Sequence, residues 1–292
     1  MILENGSLRV EISEHGAELM SIRNLSRNEE LLWNGDPAFW KRRSPILFPY
    51  VGKNWQGKAL INGAVYATSA HGFARDRNFI CESADETSAV FLLVSDEKTK
   101  EMYPFDFELR VIYRLIEGTL SVHWEVRNTS DCEMLFTIGG HPAFCFANPS
   151  DPKSHYSLKF TLKDGKDALR CSLLDLGSGT VINQYETIAL NDGWLALSEG
   201  LFVGDTLVMD GGQVLSAGLY HRDGSHRVTV RCEGFPNFGV WSMPNAPFVC
   251  LEPWMGRCDN YGFDRELSKK PNVNHVLPGE TFNAAYTIEI NP

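Results

Sequence analysis

His141 stands in TIGGHPAFCF, residues 137–146, with apolar residues on both sides. Imidazole is the side chain that ordinarily titrates near neutrality, which suits it to proton transfer. Its neighbours give it a rigid mount. Pro142 biases His141 toward extended backbone. Gly139 and Gly140 permit a bend, or the close approach of another group. The competing reading is a turn histidine satisfied by a backbone carbonyl. Glu252 is the second anomaly, because in PFVCLEPW a carboxylate interrupts the end of an apolar run. Glutamate is rarely buried without a partner. It is therefore paired, with Arg257 the first candidate, or exposed at a strand end, or a base in a cleft where burial raises its proton affinity. His71, beside a glycine in SAHGFARDRNF, is a third candidate for ligand contact. Arg75 and Arg77 in that stretch read as surface or structural salt-bridge residues. His123 falls on the polar face of a strand, and His15, His155, His221, His226 and His275 read as solvated loop or edge positions.

Residues so far apart can meet only if the elements between them bring them together. Those elements carry a period of two. Leu8, Val10 and Ile12 share one face, as do Phe107, Leu109, Val111, Tyr113 and Leu115. Leu120, Val122, Trp124 and Val126 repeat the pattern, then Val228, Val230 and Cys232, and AAYTIEI ends the chain with it. Alternation of this kind marks half-buried strands. Turn signals separate them: NGDP at 34, EG at 117, NDG at 191, MDGG at 209 and RDGS at 222. The best helix candidate is short, DRELSKK at 264–270. The expected fold is all-β, a large antiparallel sandwich built as a single domain over residues 1–292. A site on such a fold can be the open face of a sheet, assembled from distant strands.

Composition narrows the partners. The 292 residues carry a formal net charge of -10, which argues against nucleic acid or an anionic membrane and favours a small, weakly charged ligand. The segment MILENGSLRV has no basic start leading into an apolar run, and no stretch is long and apolar enough to span a bilayer. Seven cysteines without a CxxC pair argue against a disulfide framework or a zinc site and for a reducing, cytoplasmic setting. GxSxG, GxxxxGK[ST] and HExxH are all missing. What remains is histidine and carboxylate, with no evident nucleotide or metal.

Five stretches in order, RRSPILFPYVG, AHGFARDRNF, GGHPAF, CLEPW and LPGETFNAAYTIEI, resemble the aldose 1-epimerase (galactose mutarotase) family, in its LacX-like branch, over the whole chain. The resemblance implies the galactose mutarotase-like supersandwich, with a sugar in a cleft on the sheet. It implies interconversion of the α and β anomers of an aldose through ring opening, needing a base and an acid on opposite sides of one ring and no metal or cofactor. By the same resemblance Glu252 is the base, His141 the acid, His71 a sugar ligand near the ring oxygen, and Asp205 a partner of sugar hydroxyls. The family's Asn–Arg pair before its first histidine aligns with Gly52–Lys53, so Lys53 or, in space, Arg43 would take the arginine's place. Arginine's planar fork is not reproduced by lysine. That departure leaves the sugar open. A free hexose is the first expectation. A hexose 6-phosphate, held by Arg43, Lys53, Arg75 and Arg77, is the second. A sugar-binding protein without catalysis is the third, although a pure binder needs no acid–base pair. A glycosidase would want a second carboxylate.

Overall fold

The computed structural model describes residues 1–290. The alternating segments form strands where their patterns place them: Leu8–Ile12, Phe107–Ile116, Thr119–Asn128, His226–Arg231 and Thr281–Glu289. The in-facing positions of the first four strands are buried, from Leu8 to Trp124, as are Tyr286 and Ile288 in the last. Four of these strands lie in a nine-stranded sheet that begins at Trp194–Ala196 and ends at Ile80–Ala84. At its centre Thr119–Asn128 pairs with Phe107–Ile116 on one side and Thr281–Glu289 on the other. A second sheet runs in the order Thr180–Ala189, Ala168–Asp175, Leu207–Met209, Asn237–Trp241, Phe248–Met255, Ile138–Gly140, Ile46–Leu47. Ala143–Cys145 joins it by pairing with Phe248–Met255. The N-terminal strands make a separate four-stranded sheet. Every ladder between these strands is antiparallel, as expected for an all-β sandwich.

One apolar cluster draws on all three sheets and includes Leu8, Trp124, Phe136, Val249, Leu251 and Tyr286. Burying such side chains supplies most of the drive to fold. The second sheet is also covered on its other face. On Phe248–Met255, Val249 and Leu251 enter the large cluster, whereas Phe248, Cys250 and Trp254 belong to two smaller apolar clusters on the opposite side. Glu252 has the parity of the second set. A carboxylate in a strand buried on both faces therefore points away from the main core.

The helix expectation fails. Residues 264–270 contain only a single 3₁₀ turn, Leu267–Lys269, since Glu266 has extended backbone and no side-chain cap starts a longer run. The one α-helical turn among the described residues is Glu97–Lys100, started by a capping box between Asp96 and Thr99.

Candidate active site

Three segments bring His141, Glu252 and Trp254 together. Strand Ile138–Gly140 pairs with Phe248–Met255, Gly139 opposite Trp254, and delivers His141 just beyond its end. The amide of His141 donates to the Pro45 carbonyl at 3.2 Å, which fixes its backbone. The two glycines before it serve close approach on opposite faces. A Cβ on Gly139 would lie 2.5 Å from the Trp254 ring, and one on Gly140 would lie 2.7 Å from the Tyr286 hydroxyl. Gly239, opposite Glu252 in the ladder, would place a Cβ 2.5 Å from the far edge of the same indole. The Trp254 ring thus lies against two strands that both lack side chains there.

His141 Nε2 and Glu252 Oε2 are 3.3 Å apart, with the Glu252 side chain 1% exposed. His141 Nδ1, Glu252 Oε2 and Trp254 Nε1 have no well-aligned hydrogen-bond partner. Buried polar groups are nearly always paired, so this concentration of unsatisfied atoms marks a place prepared for something else. Arg257 does not pair with Glu252. Its guanidinium bonds Asp210 and Asn260. The two side chains are also in contact, not set a ring's width apart.

Burial raises the Glu252 carboxyl well above the usual range. The Trp254 indole N–H opposes that shift, and Asp205 adds to it. Burial also lowers His141, to about 3, with Arg75 and Arg42 reinforcing the effect. Desolvation disfavours whichever form is charged, so both directions have one cause. Both shifts favour the uncharged forms, a carboxylic acid beside a neutral imidazole.

Trp40 stacks on His141 with centroids 4.7 Å apart, and Trp241 meets it edge-on at 5.8 Å. His71 packs edge-on against it at 5.6 Å. His71 itself has φ +65°, next to Gly72 at +66°, a conformation uncommon for a side-chain-bearing residue. There the Gly52 N–H donates to His71 Nδ1 at 3.2 Å. Nδ1 is therefore the acceptor and Nε2 carries the hydrogen. Burial, followed by the charges of His141, Arg75, Arg42 and Lys53, holds His71 well below its normal range. It is a neutral donor.

Lys53, His71, His141, Asp205 and Glu252 line one cleft of about 230 Å³. Trp40, Arg75, Trp241 and Trp254 complete most of its wall. Arg43 is not in it. Its guanidinium instead donates to the Met20 carbonyl, because the chain from Lys41 to Pro45 runs along the N-terminal sheet. There the Arg43 amide also donates to Glu18 at 2.8 Å. The arginine in the cleft is Arg75, whose side chain bonds the Ala70 carbonyl at 2.7 Å. Burial and the neighbouring Arg42 lower it to about 10. Arg77 lies outside the cleft, on Asp96. Larger depressions, about 480 Å³ beside Trp55 and about 610 Å³ beside Trp33, contain no histidine. Chemistry, not size, selects the site. Trp40 and Trp241 were not evident in the sequence, where each looks like one more core aromatic.

A family model described as aldose 1-epimerase matches residues 1–172. Protein LacX, chromosomal, of Lactococcus lactis subsp. lactis is 31% identical over 303 residues, covering 99% of this chain and 98% of that protein. The chain belongs to the aldose 1-epimerase family. As a member it is an isomerase-type enzyme with a carbohydrate-related function. The galactose mutarotase related enzyme from Lactobacillus acidophilus superposes with a TM-score of 0.92 at 32% identity, over 100% of this chain and 97% of that one. A putative glucose-6-phosphate 1-epimerase of Escherichia coli strain K12 is 28% identical over 152 residues, 48% of each protein. The aldose 1-epimerase model covers Lys53, His71, Arg75 and His141 and stops before Asp205 and Glu252.

Proposed function

We propose that this enzyme is a mutarotase that opens and recloses the ring of a free aldose, with Glu252 and His141 as its acid–base pair. The observation that carries the reading is the buried contact between them, 3.3 Å and without a good hydrogen bond. Anomerisation moves one proton from the anomeric hydroxyl to the ring oxygen. Both oxygens are bonded to the same carbon, so two adjacent protein groups can address both. In the opening step the Glu252 carboxylate takes the hydroxyl proton while the His141 imidazolium protonates the ring oxygen. The C1–O5 bond breaks and the C1 carbonyl forms. Rotation about C1–C2 presents the other face, and the same transfers run backwards to close the ring.

The reactive carboxylate–imidazolium form has the same number of protons as the acid–imidazole form favoured in the free cleft. Sugar hydroxyls donating to the carboxylate would replace part of its lost hydration and shift the balance toward the reactive form. His71, a neutral donor at Nε2, is suited to a ring or hydroxyl oxygen. Asp205 and Lys53 are suited to the remaining hydroxyls, and the Trp40, Trp241 and Trp254 rings to the apolar face of a pyranose. At about 230 Å³ the cleft suits one ring rather than a chain of them.

One observation favours a second reading, a hexose 6-phosphate. The Lys53 ammonium has no carboxylate partner among the described residues, and Arg75 shares its cleft. Two cations without full neutralisation suit a phosphate. Comparing glucose with glucose 6-phosphate in one anomer-exchange assay separates the two. A rate enhancement for the ester alone would replace the first reading with the second.

A further inference from the structure

A second cluster of ionisable side chains lies away from the cleft and shares no residue with it. Asp151, His155 and His221 each offer a ligand atom, and the three atoms lie within 4.8 Å of one another. His155 Nδ1 is 3.4 Å from Asp151 Oδ1, and His221 Nε2 is 3.7 Å from Asp151 Oδ2. Ligands about 2.0–2.1 Å from a tetrahedral zinc stand about 3.3–3.4 Å from each other, so small rotations close the set. Two imidazoles and one carboxylate suit a borderline divalent ion rather than magnesium or calcium.

Three further features distinguish this cluster from chance neighbours. The first is a vacant bonding site: His155 Nδ1 is buried and makes no hydrogen bond. The second is support behind the ligands. His221 Nδ1 lies 3.0 Å from Asp223 Oδ1. The same nitrogen accepts from the Asp223 amide N–H at 3.5 Å; protonated toward the Asp223 carboxylate instead, it would leave the Nε2 lone pair free for a metal, the carboxylate–histidine pairing that orients metal ligands. Asp151 accepts from the Tyr156 hydroxyl at 3.2 Å and from the Asn148 amide at 3.2 Å. The third is the mount. His221 ends strand Val214–His221 and stands opposite Tyr156 in the ladder. The Arg222 amide donates to the His155 carbonyl at 2.7 Å, tying the two histidine segments together. The side chains keep 17–23% exposure, enough for an ion to enter.

We propose that Asp151, His155 and His221 form a zinc-type divalent cation site, with water as the fourth ligand, that clips the loop at 146–155 to the end of strand Val214–His221. Its role is structural. The test is titration of EDTA-treated, dialysed protein with ZnCl₂ by calorimetry, with CoCl₂ absorption spectra and thermal melts alongside. The wild type should bind one equivalent of zinc and give the intense visible bands of four- or five-coordinate cobalt, and its melting temperature should rise with zinc. The double variant His155→Ala/His221→Ala should lose all three responses. Asp223→Asn, which keeps every ligand and the fold, should weaken zinc about 10–100-fold. Mutarotation should be unchanged in both variants. Failure of the wild type to bind zinc would overturn the proposal. So would equal binding by the double variant, which would instead direct attention to the buried group of His141, Cys250 and Glu252.

Discussion

His141 and Glu252 are shifted in opposite directions by the same dry surroundings, and pH dependence follows from that. With the His141 value lowered to about 3 and that of Glu252 raised, the pair holds one proton across a wide range. The pH profile of kcat/KM should be a broad bell. Its acid limb should lie below the ordinary histidine range and its alkaline limb above the ordinary carboxylate range. A profile controlled by a single group near pH 6.5 would contradict this. Stability should show the complementary trend. Because the folded state raises Glu252, its stabilising contribution is full below the unfolded value, about 4.3, and is lost as pH rises through the folded one. Because the folded state lowers His141, its contribution is full above about 6.5 and is lost as pH falls toward 3. Glu252→Gln removes the first loss. The variant should melt higher than wild type at pH 8, with the gap closing toward pH 4, as in other sites where function opposes stability. Thermal melts across that range check it.

The elements explain which residues the sequence could reveal. His141, Glu252 and His71 were legible because each breaks a local rule: histidine between Gly and Pro, glutamate in an apolar strand, histidine beside a glycine. Trp40 and Trp241 break none. Their roles depend on a loop and a strand meeting over His141. Which arginine enters the cleft was equally hidden. The chain reversal at His71 and Gly72, both at positive φ, carries Arg75 to the cleft, while Arg43 bonds the N-terminal sheet. Linear spacing contains neither fact. Of the two readings open for the glycine pair, a bend or close approach, the structure shows close approach, by Trp254 and Tyr286 from strands distant in sequence. Gly139→Ala or Gly239→Ala should therefore displace the indole. Either should lower kcat/KM about 10–100-fold and destabilise the fold by about 1–3 kcal/mol. Steady-state kinetics with calorimetric melts would show it. An unchanged kcat/KM would mean that the ring has no part in the site.

Across the whole molecule, strand parity separates stability from chemistry. Period-two patterns foretold the sandwich because each strand's buried face depends on its own residues alone. They could not foretell that Phe248–Met255 is covered on both sides, since that depends on loops whose path is not periodic. Leu251 and Glu252 are adjacent yet face opposite sides of one sheet. Leu251→Ala should cost about 2–5 kcal/mol of stability and leave kcat near wild type well below the melting transition. Urea unfolding and initial rates test both halves.

The central claim is that Glu252 and His141 together move the proton. The most direct measurement is polarimetry of freshly dissolved α-D-glucose and α-D-galactose, with anomeric NMR exchange of glucose 6-phosphate in parallel, on wild type, Glu252→Gln and His141→Asn. The wild type should accelerate anomerisation of at least one free sugar. Each variant should lose about 10²–10⁴ in rate while still binding that sugar. A correctly folded Glu252→Gln enzyme that retains the full rate would contradict the account.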